Sequence, residues 1–275
     1  MTIAQALARA AQRGLARLDA QLLLLHAIGR AQDDRAWLLA HDGDEVQPDG
    51  LASFTSLCER RLAGEPVAYL VGHKEFFGLD LLVDARVLVP RPDTEVLVEW
   101  SLEVLETCTA PLVADLGAGT GAIALAIKHA RPDATVTAVD VSPGALQVTE
   151  ANAERLGLEI RLVQSRWLVA IDGRFDLLAS NPPYVAEADE HLAALAHEPR
   201  IALASGADGL DDIRTIVAQA PSRLAPGGWL LLEHGWDQAT AVRGLLSAAG
   251  FTSVASRRDL AGIERCSGGR WPERG

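Results

Sequence analysis

Residues 181–184, Asn-Pro-Pro-Tyr, follow the apolar run "FDLLAS" without a break. Two consecutive prolines cannot continue a helix or an interior sheet ladder, so the chain turns there. A strand exit followed by a turn is the plain explanation, but the groups on offer allow something more specific. The Asn181 side-chain carbonyl and the Pro182 main-chain carbonyl can together accept both hydrogens of a planar NH2 group. The diproline holds those acceptors at little entropic cost. Tyr184 brings a ring able to stack on a flat substrate group and to face a sulfonium cation. Such a set answers a chemical problem, because an amide or arylamine nitrogen has a delocalised lone pair and attacks poorly. Accepting its protons draws electron density toward nitrogen and orients it for in-line attack on a methyl carbon.

A second cluster lies upstream. In "VADLGAGTGAIALAI" an apolar run passes through Gly117, Ala118, Gly119, Thr120 and Gly121 into a helical pattern. Glycines at that spacing permit a tight turn, close backbone approach to a ligand and access to helix N-terminal amides. Asp140 closes the next apolar run, "TAVD", nineteen residues after Gly121. An acid there sits where ribose hydroxyls are bound in dinucleotide-type sites. A nicotinamide enzyme and an S-adenosylmethionine enzyme share these features, and Ala122 at the third-glycine position suits either. Asp115, just before the turn, would repel a pyrophosphate but suits the ammonium of a methionine moiety. Capping the turn or accepting from its amides is an equally natural role for it.

These residues need a scaffold that brings two loops together. From about residue 91, near-continuous apolar strands alternate with amphipathic helices, which specifies a mostly parallel sheet covered on both faces. Strands are expected at "PLVADLG", "ATVTAVDV", "EIRLVQS", "RFDLLASN" and "GGWLLLEHG". The intervening helices include "DDIRTIVAQAPSRLA", and the tail carries two weak strands able to add an antiparallel edge. Ligands in such sheets bind beyond the carboxyl ends of the strands, so the glycine turn and Asn181 should share one crevice. Residues 1–65 read as a small helical domain, 66–90 as a linking β-hairpin turning at Gly78, and 91–275 as the catalytic domain.

Composition narrows the classes of function. The chain has 275 residues and a formal net charge of -12, which disfavours a general basic surface for nucleic acid. Cys58, Cys108 and Cys266 form no CxxC pair, and the seven histidines show no ligand spacing, so no metal site is expected. The apolar run "LLLLHAIG" is too short to span a bilayer, and a cytoplasmic protein with no membrane or stable nucleic-acid partner is expected. An N-methyltransferase acting on a nucleic-acid amino group is the nearest rival reading. A nicotinamide oxidoreductase would need a proton donor beside the second half of the sheet, and none stands out.

With "LDAQLLLLHAIG", "EFFGLDLLVDARVLVPRPDTEVLVE", "DGLDDIRTI" and "LLLEHG" added to the two clusters, nearly the whole chain resembles the HemK/PrmC-type methyltransferases. That family N5-methylates the glutamine of a Gly-Gly-Gln tripeptide in peptide chain release factors. Asn-Pro-Pro-Tyr by itself is shared with DNA adenine and ribosomal guanine methyltransferases, whereas "PRPDTE" with "EFFGLDLLVD" narrows the match. The resemblance implies a class I, Rossmann-like S-adenosylmethionine-dependent α/β fold, and an N-terminal domain that docks the release factor. It also implies a cofactor site at Gly117 to Gly121, Asp140 and Asn181. Trp167 is implied as an aromatic wall for the adenine, although a core position would suit it as well. Asn181, Pro182, Pro183 and Tyr184 are implied as the amide-binding element, with Asn181, Pro182 and Tyr184 catalytic. Arg91, Glu95 and the Pro199-Arg200 segment should border the crevice. Where the family commonly has an acid before the tryptophan, this chain departs with Arg166.

Overall fold

The computed structural model describes residues 1–273 and divides into two compact units, Met1–His73 and the remainder from Lys74. The first unit packs five helices: α1 (Ile3–Gln12), α2 (Arg17–Ala27), α3 (Arg35–Ala40), α4 (Pro48–Leu62) and α5 (Val67–Val71). Thr2 and Gln5 form a reciprocal capping box that starts α1. Leu23, Leu24 and Leu25 of α2 are fully buried in the apolar cluster at its centre. The sequence pattern stops this domain at Gly64 and Pro66, and Gly64 does end a helix, at φ 101°. Pro66, however, caps α5, whose Leu70 and Val71 join the same cluster. A proline at a helix start sacrifices no hydrogen bond, so it begins this helix instead of excluding one.

A hairpin of β1 (His73–Phe76) and β2 (Leu79–Leu82) follows. Its two turn residues, Phe77 and Gly78, both have positive φ, at 50° and 78°. That is the turn whose twist matches paired strands, and the glycine makes it inexpensive. Asn152 fastens the hairpin to the catalytic layer: its Oδ1 accepts from the Leu82 amide, and its Nδ2 donates to the carbonyls of Leu82 and Thr120.

The large sheet is built from β3 (Leu112–Leu116), β4 (Thr135–Asp140), β5 (Arg161–Gln164), β6 (Phe175–Ser180), β7 (Leu224–Glu233), β8 (Thr252–Arg258) and β9 (Glu264–Arg270). Strand order is β5-β4-β3-β6-β7-β9-β8. The first five are parallel, and β9 runs antiparallel between β7 and β8, as the weak tail strands suggested. The connecting helices are α6 (Glu95–Val104), α7 (Ala122–Ala130), α8 (Pro143–Leu156), α9 (Asp211–Gln219) and α10 (Ala239–Ala248). Successive strand residues enter opposite layers. Val113, Leu177 and Leu231 pack with Leu97 and Val98 of α6 and Leu125 of α7. Ala114, Leu178 and Leu230 pack with Ile213 and Ile216 of α9 and Val242 of α10. Two filled layers explain why these strands read as continuous apolar runs.

The helix expected across "DDIRTIVAQAPSRLA" is shorter than its pattern. α9 ends at Gln219, a 3-10 turn covers Ala220–Ser222, and Leu224 already pairs with Phe175 in β7. Pro221 cannot donate the hydrogen bond that would prolong the helix.

Candidate active site

Register lines up the functional residues. Leu116 lies opposite Val139 and Ser180, and Ser180 lies opposite Leu232. The next residues, Gly117, Asp140, Asn181 and Glu233, therefore reach the carboxyl ends of four neighbouring strands at one level. The chain order reverses between β3 and β6, so this row straddles the switch point where open α/β sheets bind ligands. A cavity of about 470 Å³ opens there.

On one side the turn is shaped by backbone conformation. Gly117, Gly119 and Gly121 all have positive φ, at 78°, 57° and 82°, which side chains disfavour. Gly117, Ala118, Gly119 and Thr120 line the cavity, whereas Gly121 caps α7 beneath it. Asp140 also lines the cavity, and its carboxylate accepts from the Gly119 amide at 3.0 Å and the Ser142 amide at 2.8 Å. Burial raises its pKa, while these amides pull it back down. Asp115 is fully buried. Its Oδ2 accepts from the Ala124 amide, its Oδ1 has no partner among the described residues, and burial pushes its pKa up to about 7. Asp115 is not among the residues on the cavity wall.

Trp167 lies on the wall with φ 52°, a conformation rare outside glycine. A Cβ at position 117 would stand 3.3 Å from its ring, so the glycine admits the indole. Its Nε1 donates to Asp212 Oδ1 at 3.1 Å. Asp212, on α9, also accepts from the Ser205 hydroxyl and faces Arg166 at 3.8 Å. An acid thus does support this tryptophan, supplied by α9 and not by the preceding residue. The sequence signal for it is the third aspartate of "DGLDDIRTI".

The opposite side is assembled from side chains. Asn181 lines the cavity, and its Nδ2 donates to the Thr94 hydroxyl at 3.1 Å. No hydrogen bond engages its Oδ1 among the described residues. Pro183 is on the wall, while the buried Pro182 and the half-buried Tyr184 are not. Tyr184 packs against the inner layer of the sheet, and its hydroxyl reaches Glu233 Oε1 at 3.4 Å. Glu233 is 1% exposed, and its Oε2 has no partner among the described residues. Burial pushes its pKa up to about 7, opposed by the nearby Thr94 and Tyr184 hydroxyls and by Arg265 and helped by Asp93. Thr94 and Glu233 lie within "PRPDTE" and "LLLEHG" but carry no sequence signal of their own.

The border segments are latched. Arg91, on the wall, pairs with Glu198 at 2.5 Å, and Glu198 also accepts from the Val89 amide. Pro199 and Ile201 line the cavity beside this latch, whereas Arg200 does not. Glu95 faces away from the cavity and holds the hairpin, accepting from the Phe77 amide at 3.2 Å. Among the described residues no group of three or more His, Cys, Asp or Glu could hold a metal, and no helix is long and apolar enough to cross a membrane.

Comparison with known proteins agrees with this geometry. Residues 94–207 match the Methyltransferase small domain and residues 2–72 the PrmC N-terminal domain. A release factor glutamine methyltransferase of Bordetella pertussis is 52% identical over 263 residues, covering 94% of this chain and 96% of that protein. The chain belongs to the release factor glutamine methyltransferase family. The Xylella fastidiosa (strain Temecula1) member is 48% identical over 271 residues, 97% of this chain and 98% of its own length. A solved methyltransferase from Pyrococcus furiosus shares the fold, with a TM-score of 0.54 at 20% identity over 80% of this chain and all of that one.

The site fits the methyl donor of such methyltransferases, S-adenosylmethionine. Asp140, Trp167 and the glycine-turn residues line one cavity together, which offers an acid, an aromatic face and main-chain amides to one ligand. The orphaned Asp115 Oδ1, a buried acceptor close beneath the turn, lacks a donor among the described residues.

Proposed function

We propose that this chain transfers the methyl group of S-adenosylmethionine to the side-chain amide nitrogen of the Gly-Gly-Gln glutamine in peptide chain release factors. The observation that carries the mechanism is Asn181, whose Nδ2 is tied back to Thr94 while Oδ1 is left to the cavity. S-adenosylmethionine supplies an electrophilic methyl carbon on a sulfonium. Asn181 Oδ1 accepts one hydrogen of the glutamine NH2 and the Pro182 carbonyl the other. Pro183 and the segment latched by Arg91 and Glu198 restrict the space around the amide. Accepting both hydrogens orients the nitrogen and offsets the positive charge that grows on it as the new bond forms. As the N–C bond forms the S–C bond breaks, leaving the neutral thioether S-adenosylhomocysteine. The amide proton becomes acidic only then and passes to water, so no strong base is needed. Tyr184 serves by supporting Glu233, in place of the stacking role that its residue type suggested.

The N-terminal helical unit docks the protein substrate in this reading, and the reaction takes place in the cytoplasm without nucleic acid or membrane. Mass spectrometry after incubation with S-adenosylmethionine and a release factor tests it. One added methyl group on the Gly-Gly-Gln glutamine is expected, with no label in naked DNA or RNA. Methylation of nucleic acid alone would overturn it.

A further inference from the structure

The turn that receives the substrate amide has few means of fastening itself. Pro182 and Pro183 carry no N–H, so neither can tie the chain down as a donor. The carbonyls of the turn can still be held, but only by a donor from elsewhere in the fold. Gln238, the residue just ahead of α10, is such a donor. Its Nε2 donates to the Tyr184 carbonyl at 3.0 Å and to the Asp208 carbonyl at 3.2 Å. Its Oε1 accepts from the Gly235 amide at 2.8 Å, and its own amide returns a bond to the Gly235 carbonyl at 3.1 Å. Gly209 packs directly against this contact with φ 75°. A Cβ there would collide with the Tyr184 carbonyl oxygen and stand 2.7 Å from Gln238 Nε2. Neither Gly209 nor Gln238 is on the cavity wall.

We propose that Gln238 is a positioning residue for methyl transfer: by holding the Tyr184 carbonyl against Gly209, it fixes where Asn181 and the Pro182 carbonyl meet the substrate amide. The proposal rests on the reading of those two groups as amide acceptors given above. The partners of Gln238 set its orientation. A main-chain N–H can only donate and the two carbonyls can only accept, so Oε1 faces Gly235 and Nε2 faces the other pair. One acceptor and two donors in one plane match that set, whereas a glutamate of the same shape would turn an oxygen against two carbonyls. The ring-locked φ angles of Pro182 and Pro183 carry the position of Tyr184 back to Asn181 with little slack. Val185 is also held, its amide by Leu203 and its carbonyl by Ser205, but the Gln238 bond lies one residue nearer the diproline. It joins the turn after β6 to the segments that lead into α9 and leave β7. The glycines of "DGLDDIRTI" and "LLLEHG" both take part in it.

Steady-state kinetics on the full chain with a release factor tests this, with turnover expressed per S-adenosylmethionine-binding site counted by calorimetry. Gln238→Met keeps the length of the side chain and deletes its hydrogen bonds. Its kcat per site is expected to fall about 10- to 100-fold, as for a displaced catalytic group, with the release-factor KM and S-adenosylmethionine Kd within about twofold. Gln238→Glu keeps an acceptor for Gly235 but opposes the two carbonyls, and should fall comparably. Gly209→Ala pushes the Tyr184 carbonyl from the other side and should also lower kcat per site. A purely structural role would cost binding sites and leave kcat per site unchanged, and that result overturns the proposal. So would a cofactor Kd that weakens in step with kcat. If Gln238→Met does not fold, Gln238→Glu decides, and if neither folds, Gly209→Ala does; kcat per site near wild type overturns it in each case. An inactive Asn181→Ala beside a fully active Gln238→Met would sink only the role of Gln238. An active Asn181→Ala would sink the reading beneath it.

Discussion

The two walls of the cavity are made differently. The donor wall is backbone from one stretch of chain: a strand, three glycines with positive φ and a helix start, joined by Asp140 from the adjacent strand. The acceptor wall is side chains from three distant places, with Asn181 held by Thr94 and the neighbouring Tyr184 by Glu233. A wall of main-chain amides keeps its shape whatever binds, because its bonds are those of the fold. A wall of side chains keeps its shape only while each partner has the right donor or acceptor. Damage to the first should appear as cofactor affinity or stability, and damage to the second as turnover.

Asn181→Ala gives the largest expected effect. Removal of one fixed charge-stabilising group costs on the order of 100- to 1000-fold in kcat, while S-adenosylmethionine binding measured by calorimetry should stay near wild type. A matching loss of cofactor affinity would mean that the two walls are not separable. Asp140→Ala should do the reverse. Loss of hydrogen bonds to a charged group, about 1.5–3 kcal/mol, should weaken the S-adenosylmethionine Kd by roughly 10- to 100-fold and leave kcat at saturating cofactor within a few fold.

Gly121→Ala probes the donor wall behind the ligand. At φ 82° its new Cβ would lie 2.8 Å from Thr149 Cγ2 and 3.1 Å from Leu125 Cδ1. A stability loss of about 1–3 kcal/mol is expected by denaturant melting, with near-normal cofactor affinity in the fraction that folds. A large affinity loss at unchanged stability would show that the turn's backbone meets the ligand there after all.

The smallest expected effect concerns pH. Asp115 and Glu233 both have native pKa values raised to about 7 by burial. A raised acid pKa means that the native state binds more protons than the unfolded chain between roughly pH 4 and 7. The stability of the ligand-free protein should therefore fall as pH rises through that window and level off above it. Asp115→Asn and Glu233→Gln should each flatten part of the slope, worth a few degrees or so of Tm between pH 5 and pH 8. Adding S-adenosylmethionine should reduce the Asp115 share and leave that of Glu233, which tests whether the cofactor's cation supplies the missing partner of Oδ1.

Legibility followed the same division. Glycines 117, 119 and 121 and Asp140 could be read directly, because a phosphate-type turn and the strand after it are contiguous and φ demands mark the positions. The alternation of helices and apolar strands sufficed for the parallel sheet, since a strand buried on both faces has no polar face to show. Tyr184 shows what sequence type leaves open: its ring could stack on a substrate, and in the structure the diproline turn directs it toward the sheet and its hydroxyl to Glu233. Pro66 shows the same, since a residue that breaks a helix interior can stand as the cap just before one.

The amino-acid sequence by itself determined a Rossmann-like domain after a helical one, a nucleoside-type turn and an asparagine-diproline element at a strand end. Each of these depends on interactions within a few residues or on the periodicity of one element. Only the tertiary structure decided that Asp212 holds Trp167, that Arg91 and Glu198 latch the border, and that Glu233 and Thr94 stand behind Asn181. Strand register, set by hydrogen bonds between segments tens of residues apart, carries residues 117, 140, 181 and 233 to one level. Local composition holds no record of that alignment.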